Sequence, residues 1–360
     1  MENKKNILDL TRDDLAVWFE GQSVEAYRAG QVLKWVHRQQ TDDFNEMTNL
    51  SKAHREMLTQ NFDIRRLRLD EVAESRDGSR KHLFQLDDGL HVESVMMPER
   101  DHDTLCVSSQ VGCAQGCQFC LTGIGGLQRN LTVAEIVSQV RDILDEKSRP
   151  QPLTNIVFMG MGEPLANYDN LRGALEILTD NQYGYKFANR RITVSTAGLV
   201  PKMAALGNDT KVNLAISLNA ADNETRDRLM PINRRFPLES LIDACRAYPL
   251  PSGRRITFEY ILLKGINDST QDVRKLVKLL HGVRCKVNLI PFNSHEGCKF
   301  RRPDQETILA FQKILLEAHF TTIIRQSKGQ DISAACGQLR AGALGMGHGA
   351  RSMGEEGSAQ

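Results

Sequence analysis

Between residues 103 and 325 the chain alternates β-rich runs with helical patterns, and this alternation restricts the fold more tightly than any other feature. The runs are "TLCVSSQ", "NIVFMG", "RITVST", "VNLAIS", "RITFEYILL", "CKVNLI" and "FTTIIR". Between them Val133, Ile136, Val137, Val140 and Leu144 share one helical face, as do Val273, Leu276, Val277 and Leu280, and again Ile308, Phe311, Leu315 and Ala318. Strands that return through a helix run parallel, because a tight hairpin cannot make that connection. A strand-then-helix unit repeated six times therefore predicts a parallel sheet covered by helices. Periodicity leaves a closed barrel and an open sheet equally available.

The flanks differ from this repeat. Residues 1–78 read as a helical module: Thr11 and Asp14 resemble a capping box, and Val24, Tyr27, Val32, Trp35 and Val36 fall near helical spacing. Residues 79–102 hold "RKHLFQLDDGLHVESVMMP", whose alternation around Asp-Asp-Gly predicts a hairpin between 80 and 98. The repeat occupies 103–340, and the Gly-rich stretch 341–360 reads as a mobile tail.

Of the 360 residues 41% are hydrophobic and 25% charged, enough apolar material for the core such a sheet needs. The opening "MENKKNILDLTRDDL" lacks a signal-peptide h-region, and no stretch reaches the roughly 18 uninterrupted apolar residues of a membrane span. A cytoplasmic protein without membrane contact is expected, and in that reducing compartment eight cysteines read as metal ligands or catalysts rather than disulfides. The net charge of +1 gives no global argument for nucleic acid. Paired arginines at Arg65/Arg66, Arg190/Arg191, Arg234/Arg235, Arg254/Arg255 and Arg301/Arg302 could meet phosphates if the fold gathered them, and as a pattern alone they read as solvated surface.

In parallel α/β folds ligands bind at the carboxyl ends of the strands. Chemistry-bearing residues recur there: Cys113, Cys117 and Cys120 after the first run, Gly162 and Glu163 after the second, Ser195 at the third, Ser217 and Asn219 at the fourth, Asn293 after the sixth and Cys336 after the seventh. The cysteines form CxxxCxxC, three thiolates on one loop. A structural zinc would need a fourth ligand, and His102 and Cys106 precede or lie within a predicted strand. Three thiolates can instead hold three irons of a 4Fe-4S cluster and leave the fourth iron open.

"LCVSSQVGCAQGCQFC", "RNLTVAEI", "MGMGEPLANYDN", "ITVSTAG", "RLMPIN", "VNLIPFN" and "DISAACGQL", in this order and with "YRAGQVLKW" upstream, resemble the RlmN/Cfr family of radical S-adenosylmethionine (SAM) RNA methyltransferases, its RlmN branch above all. The likeness spans nearly the whole chain except the Gly-rich tail. It implies an α/β fold, a partial (β/α)6 TIM-like barrel of the radical SAM kind, with an N-terminal helical accessory domain that helps hold RNA.

The resemblance further implies a 4Fe-4S cluster on Cys113, Cys117 and Cys120, with SAM chelated by the open iron, and two SAM per turnover. One methylates Cys336 to S-methylcysteine. The other yields a 5'-deoxyadenosyl radical that takes a hydrogen from that methyl group, and the methylene radical adds to an electron-poor ring carbon that an electrophilic methyl group cannot attack. Cys106 would resolve the protein–RNA link through a transient disulfide with Cys336, later reset by thiol exchange. Glu93 aligns with the family's proton acceptor. Gly162, Glu163, Ser195, Ser217, Leu218, Asn219 and Asn293 match SAM-contact positions, although Asn219 stands where the family usually has His. Lys328 likewise replaces a common arginine, and Cys245, Cys285 and Cys298 match no motif.

The implied substrate is C2 of an adenosine in 23S rRNA, at the peptidyl-transferase centre, with adenosine 37 of tRNA as a second. A reductant such as flavodoxin and a monomeric chain complete the expectation. C8 methylation of the rRNA adenine is the near alternative, and a non-enzymatic, metal-stabilised RNA-binding protein the alternative of another class.

Overall fold

The computed structural model describes residues 4–146, 151–294 and 298–340, and the expected tail 341–360 lies outside the described residues. Among these, ten strands form one sheet in chain order from edge to edge: β1 (Arg68–Glu74), β2 (Arg80–Gln85), β3 (His91–Pro98), β4 (Asp103–Cys106), β5 (Leu153–Phe158), β6 (Ile192–Thr196), β7 (Asn213–Ser217), β8 (Ile256–Leu262), β9 (Cys285–Pro291) and β10 (Thr322–Ile324). Every neighbouring pair from β4 to β10 is parallel. Helices such as Val133–Leu144, Thr270–Leu280 and Gln305–Glu317 make the returns, each opened by a side-chain cap from Thr132, Ser269 or Asp304. The sheet's Ile156, Phe158, Val194, Leu214, Phe258 and Val287 are fully buried, each stabilising the fold by roughly 1.5–3 kcal/mol. The radical SAM type of fold anticipated from the motifs is thus present, its seven parallel strands falling on the seven β-rich runs, the last only three residues long.

The predicted hairpin is β2–β3, and it joins the parallel strands antiparallel through β4. Its turn needs Gly89 at φ 82, a left-handed conformation that costs glycine nothing. β1 adds a further antiparallel strand inside the stretch read as helical. The sequence "RLDEVAE" hides it because an exposed edge strand needs no apolar face.

No strand pairing closes the sheet among the described residues. The chain after β10 closes it instead. Asp331 accepts hydrogen bonds from Ser75 Oγ at 2.5 Å and Arg76 N at 3.1 Å, Gly329 N donates to Asp77 at 2.8 Å, and Lys328 reaches the Pro98 carbonyl and Glu99. Lys328 is therefore committed to this seam.

The N-terminal module has its own core of Leu8, Leu15, Phe19, Val32, Val36, Met47 and Leu58. The Thr11–Asp14 capping box is formed and opens the helix Arg12–Gly21. The module docks on Val133–Leu144: Asp9 accepts from Ala134 N at 2.8 Å, and buried Arg141 donates to Gln40 O, Thr41 O and Asp42 at 3.1, 2.9 and 2.7 Å. The fold splits the paired arginines. Arg190/Arg191 and Arg254/Arg255 precede β6 and β8, whereas exposed Arg234/Arg235 and Arg301/Arg302 follow β7 and β9, on the side where the strands end.

Candidate active site

The loop after β4 is built to present three thiols. Its neck is the short antiparallel pair Gln110–Gly112 and Leu127–Asn130. Cys113 N donates to Gly126 O at 2.8 Å, and a Cβ on Gly112 would lie 1.9 Å from that oxygen, so only glycine fits. Leu121 N donates to Gly337 O at 2.8 Å and ties the loop to the C-terminal segment. Cys113, Cys117 and Cys120 then line one cavity. Burial pushes the Cys113 thiol up to about 12 and raises Cys117 and Cys120 as well, and the negative charges of Cys120 and Cys113 raise Cys117 further. Three thiolates cannot coexist here without a cationic partner, which is the condition a metal cluster satisfies. Among the described residues no three His, Cys, Asp or Glu side chains are placed to hold a single ion. A cube differs, taking one thiolate on each of three corners, and this donor set fits it.

The strand ends form the facing wall. Gly160, Gly162, Glu163, Ser195, Ser217 and Asn219 all line the same cavity. The glycines make room for neighbouring side chains: a Cβ on Gly160 would meet Ser108 Oγ at 2.6 Å, and one on Gly162, at φ 100, would meet the Gln110 side chain at 2.5 Å. Glu163 is buried, with its carboxylate accepting from Ala197 N at 2.7 Å and Leu165 N at 3.1 Å; burial raises its pKa against these donors. Asn219 sits at φ 58, a conformation that asparagine and histidine both tolerate, which accounts for asparagine standing in the family's histidine position. Its amide accepts from Ile261 N at 2.9 Å and donates to Met230 Sδ at 3.2 Å.

Two of the expected SAM-contact residues do not line this cavity. Leu218 is fully buried in the main core, because the residue after Ser217 points to the opposite face. Asn293 is buried, with Oδ1 lacking a partner, and does not border the cavity. Glu93 also stands outside, at the seam, where Lys81 Nζ at 3.1 Å and Arg340 N at 2.7 Å hold its carboxylate.

Cys106 and Cys336 border a second, smaller cavity with Met159, Ile290, Arg325 and Lys328. Cys336, Met159, Ile290 and Arg325 border both cavities, so the two are contiguous. Burial pushes the Cys106 thiol up to about 12, helped by the Cys336 charge and opposed by Arg325. All eight cysteines are free, so the expected Cys106–Cys336 disulfide is not formed, and burial keeps the Cys106 thiol in its protonated, poorly nucleophilic form. Cys245 and Cys285 are core residues, and Cys298 packs beside the Phe292 and Phe300 cluster.

Three residues at the site were not singled out from sequence. Arg226, fully buried, donates to Leu218 O, Asn233, Ala197 O and Ser217 O at 3.0, 2.9, 2.7 and 3.3 Å, locking the ends of β6 and β7. Glu259 and Arg325 both line the main cavity.

A parallel sheet that brings three loop thiols, a Gly-Glu-Pro turn and strand-end hydroxyls to one cavity defines an enzyme of the radical SAM class. Residues 107–280 match the Radical SAM superfamily, and residues 5–64 the ribosomal RNA large subunit methyltransferase N-terminal domain. A radical SAM methyltransferase from Sphaerobacter thermophilus superposes with a TM-score of 0.86 at 44% identity, covering 93% of this chain and 99% of that one. The dual-specificity RNA methyltransferase RlmN of Desulfosudis oleivorans is 55% identical over 337 residues, 94% of this chain and 91% of the relative. That of Geobacter sulfurreducens is 54% identical over 340 residues, 94% and 93% of the two chains. The chain belongs to the RlmN family of radical SAM RNA methyltransferases. The alternative of a non-catalytic, metal-stabilised RNA binder is set aside on these matches. No described helix is long and apolar enough to cross a membrane.

Proposed function

We propose that the chain methylates C2 of an adenosine in 23S rRNA, at the peptidyl-transferase centre, and adenosine 37 of tRNA, with Cys336 carrying the methyl group. The main support is the meeting of Cys106 and Cys336 in a small cavity continuous with the three-thiol cavity. Cys113, Cys117 and Cys120 would hold the 4Fe-4S cluster, and Glu163, Ser195, Ser217 and Asn219 would hold SAM beside it. Cluster and SAM together supply one-electron cleavage of the sulfonium, hence the 5'-deoxyadenosyl radical.

The chain's own thiols do the rest. Cys336 sulfur accepts a methyl group from one SAM, loses a hydrogen atom from it in a step that consumes a second, and joins the ring carbon through the methylene. Glu93 takes the ring proton, and the adduct gives up its unpaired electron to the one-electron couple that cleaved the sulfonium. Cys106 thiolate then attacks Cys336 sulfur: an S–S bond forms, the bond from Cys336 sulfur to the methylene carbon breaks with its electron pair going to carbon, that carbon takes up a proton to become the methyl group, and the methylated RNA leaves. An external thiol reduces the disulfide. Arg234, Arg235, Arg301 and Arg302, exposed on the cavity side, suit phosphate contacts. A reductant such as flavodoxin and a cytoplasmic monomer belong to the same reading.

The test is nucleoside mass spectrometry of an RNA fragment incubated with reconstituted enzyme, SAM and reductant. 2-Methyladenosine is expected, and 8-methyladenosine or no product overturns the assignment. Cys106→Ala should accumulate protein covalently joined to RNA, whereas Cys336→Ala should give none.

A further inference from the structure

Arg325 follows β10, with its backbone N–H fixed to Leu289 O at 2.8 Å. Its side chain borders both cavities, with Cys106 and Cys336 on the small one and Glu259 on the large one. Among the described residues its guanidinium forms no ion pair, and its one hydrogen bond is from Nη1 to Met159 Sδ at 3.8 Å. A guanidinium has five N–H donors, and a half-buried one with a single weak contact to sulfur has donors left for an anion in the cavities that it borders. The groups on the small cavity that can become anions are the thiols of Cys106 and Cys336.

We propose that Arg325 is a positioning residue whose charge holds the Cys106 and Cys336 sulfurs together as an exchange pair, acting as counter-ion to whichever is ionised. The proposal rests on the reading of those two cysteines as the reacting thiols.

The surrounding charges support it. Arg325 favours the Cys106 thiolate against burial and against Cys336. Its own charged form is favoured first by Cys336, opposed by burial, and favoured again by Glu259, Cys106 and Glu99. Of the other groups facing it, Lys328 is held by Pro98 O and Glu99. Glu259 has Asn288 Nδ2 on one oxygen at 3.0 Å and no partner on the other. Burial raises the Glu259 pKa, with the Arg325 charge opposing, and Glu259 borders the large cavity but not the small one that holds Cys106. Thiol exchange depends on the fraction of thiolate, so loss of this charge slows it.

The test uses anaerobically reconstituted holoprotein without SAM or RNA. Alkylation of Cys106 by iodoacetamide is followed by peptide mass spectrometry from neutral to alkaline pH, and oxidised dithiothreitol is used to form the Cys106–Cys336 disulfide. In that step the two thiols lose two protons and two electrons, and the oxidant becomes its dithiol. Arg325→Met should move the Cys106 profile up by about one pH unit and slow disulfide formation about tenfold, while Arg325→Lys stays within about threefold of the parent. Arg325→Gln repeats the measurement if the Met variant loses iron or circular dichroism. Unchanged profiles and rates in the neutral variants, or a Lys variant as slow as Met, overturn the proposal. Because RNA takes no part, normal thiol behaviour with no RNA methylation counts against the proposed function alone.

Discussion

Arg226, beneath the cavity, and Arg141, at the joint with the N-terminal module, are both fully buried, yet they are satisfied in opposite ways. Arg226 spends all three guanidinium nitrogens on three carbonyls and Asn233. Arg141 spends Nη2 on Gln40 O, Thr41 O and Asp42, while Nε and Nη1 have no partner. Beside it both ring nitrogens of His37 and the Tyr185 hydroxyl are also buried without partners, their rings 5.3 Å apart. His37 rides on the π-helical turn Lys34–Arg38, which breaks the regular ladder. A closed network fixes geometry, and an open one leaves polar groups in debt. The cavity end is thus preorganised, whereas the joint is held by its apolar core and a few charges against unrecovered desolvation.

The largest effect belongs to the cavity. Cys117→Ala should abolish iron retention and 5'-deoxyadenosine release, read by iron assay and chromatography, while urea unfolding of the N-terminal module stays as in the parent. Retained iron would remove the three-thiol loop from the comparison. Arg226→Met comes next. It strands three carbonyls at the ends of β6 and β7, so chemical denaturation should show a loss of about 3 kcal/mol and SAM binding should weaken more than tenfold. Arg141→Met removes a half-satisfied cation and leaves Asp42 with Arg66 at 2.8 Å, so about 1–2 kcal/mol and no change in SAM affinity are expected. Equal effects on SAM binding would erase the distinction between the two regions.

How much of this was legible depended on whether a signal is local. The CxxxCxxC spacing exposed the loop thiols, and the repeat placed Glu163, Ser195, Ser217 and Asn219 on one edge, because strand ends follow from period and length alone. The proximity of Cys106 and Cys336 needed the topology: the sheet is open, and only the seam of residues 328–340 carries Cys336 back past β3. Glu93 and Leu218 matched family positions but face the seam and the core, directions set by packing. Arg226 was indistinguishable from a solvated charge run in "NETRDRL". Glu259 did leave a trace, as the one charge in "ITFEYIL", a strand buried at six of its seven positions. A carboxylate in such a run marks either a paired charge or a ligand site.

The smallest expected effect probes the joint by pH. His37 is lowered from 6.5 to about 3, first by burial and then by the Arg141 charge, with Asp180 opposing. The folded chain therefore keeps the ring neutral while the unfolded chain protonates it below about pH 6.5, so stability is lost as pH falls from there toward 3. Linkage sets that loss at about 2 kcal/mol near pH 5. His37→Phe keeps a ring against Tyr185 and removes the titration. Whatever its stability at neutral pH, its urea midpoint should fall less between neutral pH and pH 5 than the parent's, by an amount equivalent to about 2 kcal/mol. Parallel pH profiles for the two proteins would mean that the ring can be protonated inside the joint, and that the joint is as well solvated as the cavity end is closed.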